Sequence, residues 1–503
     1  MRNGSLILVQ VTAGRNAGDG GKMDAEGART FVGKWWLPED PDKTVGGVLT
    51  VDRSGECHLQ LVGSLLPNPY IQTESAPAPT GPTALVLGSA GDEDFSLLYA
   101  WVHHMQWLVE DAPQELVVNT VLRGVHVETA DQECFTGAKI EIDNLTAWSG
   151  ITGFTSGKEY DEPAAGAPLS FARAYWELRT PSEPSPVGQL GDFDVELVWR
   201  SEFSTFIKDR NIRREVSATE DVHAKISSPR PVAWGAFKSR IKVLQDLLTF
   251  ATRHPCAVRT VNLIHDDEEV GQVELLNAPQ VKPAEDQPTQ IFRYVFRLKD
   301  MPLDELLRKW HAMYTEIGMG IHVLFGLDYN KNGFIENQIL NATSAAESIH
   351  RALRPDARSI PPDGHASLVA TVREKITHEH KNWLLGRLKN TPGFAERARE
   401  LVKIPSSAAV AALLEDADLW VTWARDGRNA TAHHEGGDFE RIPEGARWGL
   451  PAATLGLLHL VLLAELGFSE EVQLAAAQGV YGQQAERFRR AVKERRASSQ
   501  ASL

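Results

Sequence analysis

The chain has 503 residues, 42% of them hydrophobic and 24% charged, with a formal net charge of −15. Its length exceeds one ordinary core, so two or three domains are expected, and its composition is that of a globular protein rather than a disordered or fibrous one. The negative balance argues against a generic nucleic-acid-coating protein, yet it is compatible with an enzyme that meets RNA through one local basic site.

Residues 1–28 are Gly-rich and mixed in charge, and read as a flexible leader around one short strand. Its apolar "SLILVQV" is short and runs into "TAGRNAGDGGK" without a cleavage-like site, so it is not read as a signal peptide. From Phe31 the pattern changes. "GGVLTVDRSGECHLQLVG" places Val48, Thr50, His58 and Leu61 in two short runs parted by "DRSGE", a hairpin signal. "TALVLGSAG", "FSLLYAWVHHMQW", "LVVNTVLRGVHV", "AKIEIDNLTAWSGI", "LSFARAYWEL" and "FDVELVWRSEF" continue the β-branched and aromatic theme. The Pro clusters "PAPTGP" and "PSEPSP" argue against long helices here. Residues 29–200 are therefore expected to form a β-rich domain.

Around Pro231 the period switches. Phe237, Ile241, Leu244 and Leu248 fall at helical spacing. "AVRTVNLIH", "VGQVELL" and "QIFRYVFRL" read as strands, and "PLDELLRKWHAMYTEI" as a helix with Pro302 near its first turn. Residues 201–320 thus form an α+β second half of the N-terminal region. The remainder, 321–503, is expected to be all-helical, with Pro- and Gly-rich breaks at "RPDARSIPPDGH" and "EGGDFERIPEGARWG". The fold class is therefore α+β and multidomain, β-rich first and an all-α bundle after. No 20–50-residue repeat suggests a solenoid. The apolar run 449–468 is long enough to cross a membrane, but it contains His459, Glu465, a Pro and inner glycines, and reads better as a buried core helix. Cys57, Cys134 and Cys256 lack CxxC spacing, which speaks against a disulfide framework or zinc ribbon and for a reducing cytoplasm. No membrane association is expected.

The stretch "WARDGRNATAHHEGG", 423–437, gathers Arg428, Asn429, His433 and His434. Arg offers a permanent cationic fork for phosphate oxygens, and His can give and take a proton near neutral pH. Together they suit metal-free RNA cleavage by the ribose 2′-OH. Asn429 and His433 are four apart and share one helix face. The bare Arg-to-His spacing also occurs at Arg53–His58, Arg259–His265, Arg358–His365, Arg373–His378 and Arg373–His380, so spacing alone does not select a site. Arg428 is distinguished by the Asn that follows it and by its place late in the helical region.

This arrangement resembles the Arg-x(4–6)-His motif of the HEPN superfamily. "ENQILNATSAAESIHRAL" (336–353) resembles the first helix of the HEPN domain of ApeA-like proteins. "GKWWLPE", the "LVLG" strand before "FSLLYAW" and "IEIDNLTAWSGITGF" resemble the ApeA N-terminal domain. The resemblance implies an anti-phage abortive-infection protein. An N-terminal sensing or regulatory region would be fused to a HEPN endoribonuclease that needs no metal or other cofactor and acts as a homodimer or higher homo-oligomer. RNA would be the substrate, with tRNA one candidate, and the phage-derived trigger is not specified. Arg428, Asn429 and His433 would be catalytic.

Further substrate contacts could come from His434, from Glu347 by orienting Arg428, and from Arg490 and Lys493 of the basic tail "ERFRRAVKERR", which reads equally as a solvated helix face. His350 and Arg351 read as local helix contacts. "HEH" at 378–380 would split its two histidines to different helix faces, which disfavours a metal pair. Two rival functions are a non-catalytic HEPN module for RNA binding or dimerisation, and a metal-dependent hydrolase built on His378 and His380.

Overall fold

The computed structural model describes residues 22–23, 28–52, 54–66, 83–105, 112–160, 171–203, 208–210, 213–215, 217–277, 281, 291–330, 333–376, 378–433 and 439–501. The leader, apart from Lys22–Met23, lies largely outside these. In chain order the strands are β1 (Lys22–Met23), β2 (Arg29–Leu37), β3 (Asp40–Val51), β4 (Cys57–Leu61), β5 (Thr83–Ala90), β6 (Glu93–Met105), β7 (Gln114–Arg123), β8 (Phe135–Ile142), β9 (Phe154–Tyr160), β10 (Phe171–Leu178), β11 (Val187–Leu190), β12 (Phe193–Phe203), β13 (Lys208–Arg210), β14 (Arg213–Glu215), β15 (Ala218–Val232), β16 (Val258–His265) and β17 (Gln272–Asn277). The chain forms two compact units. One is drawn from residues up to 136 with 231–234 and 261–282, and the other from 137–230, 235–260 and 283–503.

The first unit is built on period-two alternation. In β4, Cys57, Leu59 and Leu61 are buried while His58 and Gln60 are not, and β3 and β4 pair as the expected hairpin with Thr50 opposite His58. The strands run β7–β4–β3–β2–β5–β6, and β6 pairs again with β7 along its length, closing six strands into an antiparallel ring. Trp35, Leu49, Leu59, Phe95, Leu97 and Leu116 fill it, with the Phe95 ring 5.0 Å from Phe31 and 5.9 Å from Trp35. Gly88 sits opposite Trp35 in the β2–β5 pairing, and a Cβ there would lie 2.0 Å from the indole. The glycine is thus required by the ring it faces. Beside Phe31, Glu274 takes two hydrogen bonds from Arg29, at 2.7 and 2.9 Å, and one from Arg123 at 2.9 Å. Burial works to raise the Glu274 pKa, but these two guanidinium groups outweigh it and hold the carboxyl below its ordinary value.

In the second unit, β11, β12, β15 and β8 are neighbours in that order, followed by helices. The helices are α1 (Leu145–Ser149), α2 (Trp234–Thr252), α3 (Leu303–Ile317), α4 (Met319–Tyr329), α5 (Ile335–Leu353), α6 (Pro362–Lys375), α7 (His378–Arg387), α8 (Phe394–Leu401), α9 (Ser407–Leu414), α10 (Ala417–His433), α11 (Glu444–Leu466), α12 (Glu470–Gln478), α13 (Val480–Gln484) and α14 (Glu486–Ala501). A β-rich N-terminal region followed by a helical C-terminal region is the architecture the residue pattern implies. By length and composition α11 could cross a membrane, but most of it is buried among the chain's own helices. A helix that is apolar all round needs cover on every side.

One expected strand takes another form, and two stretches of the helical region are broken. "QIFRYVFRL" forms short 3-10 turns instead of a strand. Val295 donates its N–H to Ala251 O at 2.8 Å, and Phe296 sits 5.4 Å from Phe250 and 4.5 Å from Phe468, so the segment plugs a helical core. "AAVAALLEDADLWVTWA" breaks into α9 and α10 at Glu415, whose φ of 61° is left-handed. "ASLVATVREKITHEHKNWLLGRL" is two helices, and α6 buries none of its residues, so this segment stands outside the bundle core.

Replacing Gly88 with Val forces a side chain into the space Trp35 fills. We expect a loss of about 1–3 kcal/mol, seen as a lower urea midpoint together with faster hydrogen exchange at the β2 and β5 amides.

Candidate active site

Arg428 and Asn429 lie little more than one turn from the end of α10. Gly427 precedes them, and a Cβ on it would lie 3.0 Å from Ile339 of α5, 3.3 Å from Ile442 and 3.4 Å from Leu450 of α11. The missing side chain lets α10 press against both helices. Ala424 and Ala430 on the same helix are also buried. That closeness brings Arg428 to Glu347, although 81 residues separate them in the chain. Arg428 Nη2 donates to Glu347 Oε2 at 3.2 Å, and Nη1 donates to Asn429 Oδ1 at 3.5 Å. All three residues are half-buried. The guanidinium is thus held by neighbours yet keeps access to solvent, as a phosphate-binding cation must.

α10 continues to His433, which is described as backbone only, one helical turn beyond Asn429. His434 lies outside the described residues. Helical continuity separates Arg428–His433 from the competing pairs. Arg259 and His265 lie on strand β16, Arg358 lies in the coil before α6 with His365 inside that helix, and Arg373 is on α6 while His378 and His380 are on α7. Arg53 is outside the described residues. Among the described residues, no group of three His, Cys, Asp or Glu is placed to hold a metal ion.

One turn along α5 from Glu347, His350 is fully buried and makes long-range contacts that its position in the sequence did not suggest. Arg397 of α8 donates to His350 Nδ1 at 3.2 Å, and Nε2 lies 2.5 Å from Glu400 Oε2. An arginine can only donate, so Nδ1 accepts and the ring proton sits on Nε2, directed at the carboxylate. Burial first, then the charge of Arg351, lowers the Arg397 pKa, with Glu347 opposing. This pair of contacts fixes α5 against α8 and so sets where Glu347 stands.

Lys493 and Arg490 are placed elsewhere. Lys493 Nζ lies 3.2 Å from Glu415 Oε1, Arg489 donates to the same atom at 3.0 Å, and Arg496 donates to Asp416 Oδ2 at 3.0 Å. Asp416 precedes α10, and at 1.5 Å per residue Arg428 lies roughly 18 Å further along that helix. The acidic corner between α9 and α10 therefore neutralises much of the basic tail. Arg490 is exposed on α14, the same helix.

The family model described as ApeA N-terminal domain 1 matches residues 30–310, more than half of the chain, and that described as Apea-like HEPN matches residues 340–472. The chain belongs to the ApeA-like proteins, with a C-terminal HEPN domain. No curated protein and no solved structure matches it. In this ApeA-like chain the HEPN match encloses Glu347, His350, Arg397, Arg428, Asn429 and His433, and it ends before α14 with Arg490 and Lys493.

The geometry separates two substitutions of neighbouring residues. Glu347→Ala breaks a partly exposed ion pair and should change stability by less than about 1 kcal/mol. His350→Ala strands the buried Arg397 and should cost about 1–3 kcal/mol. Urea unfolding of the two variants beside the unaltered chain checks the order.

Proposed function

We propose that this ApeA-like chain is an endoribonuclease of anti-phage defence that acts by abortive infection. The observation that carries the reading is Arg428 with Asn429 on one continuous helix with His433, inside the HEPN match, with Arg428 steadied by Glu347. In this reading two chains pair so that two copies of the motif face one cleft. Arg428 binds a non-bridging phosphate oxygen and stabilises the charge that builds there. One His433 takes the proton of the ribose 2′-OH, and the oxygen attacks the adjacent phosphorus. The bond to the 5′-oxygen breaks, and that oxygen leaves with a proton from the other His433. The products are a 2′,3′-cyclic phosphate and a 5′-OH, and no metal takes part. Asn429 orients the imidazole or holds a second phosphate oxygen. The N-terminal region holds this activity in check until a phage-derived trigger engages it, and tRNA is a candidate target. The protein acts in the cytoplasm.

Incubation of the purified chain with total RNA and with tRNA tests the reading. Cleavage should persist in a strong chelator and leave cyclic phosphate ends. Arg428→Ala and His433→Ala should each slow it by a factor of about 100 to 10,000. Equal cleavage by the His433→Ala chain would reject the assignment.

A further inference from the structure

Helices α6 and α7 form a hairpin inserted between α5 and α8, the two helices that carry Glu347, His350 and Arg397. Its feet are tied. Asn390 Oδ1 accepts from Ile360 N at 3.0 Å, Asn390 Nδ2 donates to Ile360 O at 2.9 Å, and His365 Nε2 lies 3.0 Å from Leu388 O. Beyond these ties, neither α6 nor the described side chains of α7 are buried. Core packing therefore does not account for its apolar residues. Trp383 is 64% exposed, Arg387 lies over its ring at 5.4 Å, and Leu368 is exposed as well.

Where α6 ends and α7 begins lies an open groove of about 660 Å³ lined by Lys375, Ile376, His380, Trp383 and Leu384. That is the size of a small-ligand site, with an aromatic wall and a cation at the rim. From Val372 to Asn390 the chain has five Lys and Arg against two Glu, in a protein whose net charge is −15. Among the described residues, none of these five cations forms an ion pair, whereas three cations of α14 are paired to Glu415 and Asp416. Unpaired cations beside an exposed aromatic face are what a single-stranded nucleic acid requires: phosphates to neutralise and a base to stack.

We propose that the α6–α7 hairpin is a single-stranded RNA grip in which a base stacks on Trp383 and the backbone runs along Lys375 and Lys381. The proposal rests on the nuclease reading above, for which it supplies a substrate contact outside the Arg428 site. A second copy of this chain is the rival occupant. A stable dimer buries roughly 800 Å² on each side, and the three exposed large apolar side chains here, Ile360, Leu368 and Trp383, set among unpaired cations, suit that less well than they suit a polyanion.

The test uses the full chain carrying His433→Ala, so that RNA stays intact, and a labelled single-stranded RNA of mixed sequence, with fluorescence anisotropy read at several salt concentrations. Trp383→Ala should weaken binding about tenfold, while Trp383→Phe, which keeps a stacking face, should stay within about threefold. Lys375→Ala with Lys381→Ala should flatten the dependence of log affinity on log salt by about 1.4. Unchanged affinity and slope, or no RNA binding by the parent chain, overturns the grip. So does a Trp383→Ala change confined to sedimentation, which would make this face a self-interface. Cleavage that depends on His433 but is indifferent to Trp383 sinks the grip alone. Trp383-dependent binding without cleavage by the natural chain sinks the nuclease reading and leaves the grip standing.

Discussion

A fully buried arginine needs an answer in charge, and in this protein the answer joins the N-terminal family segment to the HEPN helices. Arg253 follows α2 in a left-handed conformation (φ 57°) and reaches into the bundle. It donates to Asp328 Oδ1 at 2.8 Å and to Gln484 at 3.0 Å, and Nη1 lies 3.2 Å from His459 Nε2. His459 stacks within 3° of parallel on Tyr481 and lies 5.4 Å from the Phe250 ring. Burial would raise the Asp328 pKa, but Arg253 and His459 override it and hold the carboxyl well below the usual carboxylate range. Burial, then the Arg253 charge, lowers the His459 pKa, with Asp328 opposing. Such clusters are costly to break and poor at stabilising by themselves. What this one supplies is registration: groups from α4, α11 and α13 all meet the arginine that follows α2.

From that registration the site follows in steps. Helix α11 is central and apolar, α10 lies on it through Leu450, and Gly427 lets α5 approach the same stretch. Glu347 then meets Arg428, while His350 locks the next turn of α5 to α8. Each step has a different physical origin: charge closure, apolar cover, a missing side chain and a donor–acceptor match. Of these, the α6–α7 hairpin shares only the donor–acceptor match, at its base. Its amide ties fix its feet, and the rest of its surface is free for other work.

Much of this was legible in the chain. Alternation in 48–61 gave the β3–β4 hairpin, because a strand with one buried face must alternate. The helical period of 335–353 and the apolar run of 449–468 gave α5 and α11 for similar local reasons. Arg428 and Asn429 were visible as types in a pattern, and family resemblance rather than spacing raised them above the competing Arg–His pairs. What stayed hidden was long-range or depended on partners. The Glu347–Arg428 contact spans 81 residues, and periodicity carries no information about that. Arg253 reaches His459 across 206 residues from a backbone state that nothing local demands. His350 looked like an ordinary helix residue because Glu400 and Arg397 come from another helix. The basic tail looked available for RNA because its acidic partners, Glu415 and Asp416, are more than 70 residues away. "QIFRYVFRL" is apolar enough for a strand and lacks only a strand to pair with.

The ring of β2 to β7 has a further consequence. A set of paired strands that closes on itself leaves little free edge, and two of the stretches it does leave are already taken, by β1 along β2 and by β17 along β7. A molecule that engages this unit must be recognised mainly by what stands outward from the ring, such as Val32 and Trp101, both exposed, and by the connections at its rims. Such surfaces change readily without disturbing an interior held by Trp35 and Phe95. The fold thereby separates the part that has to stay constant from the part that is free to diversify.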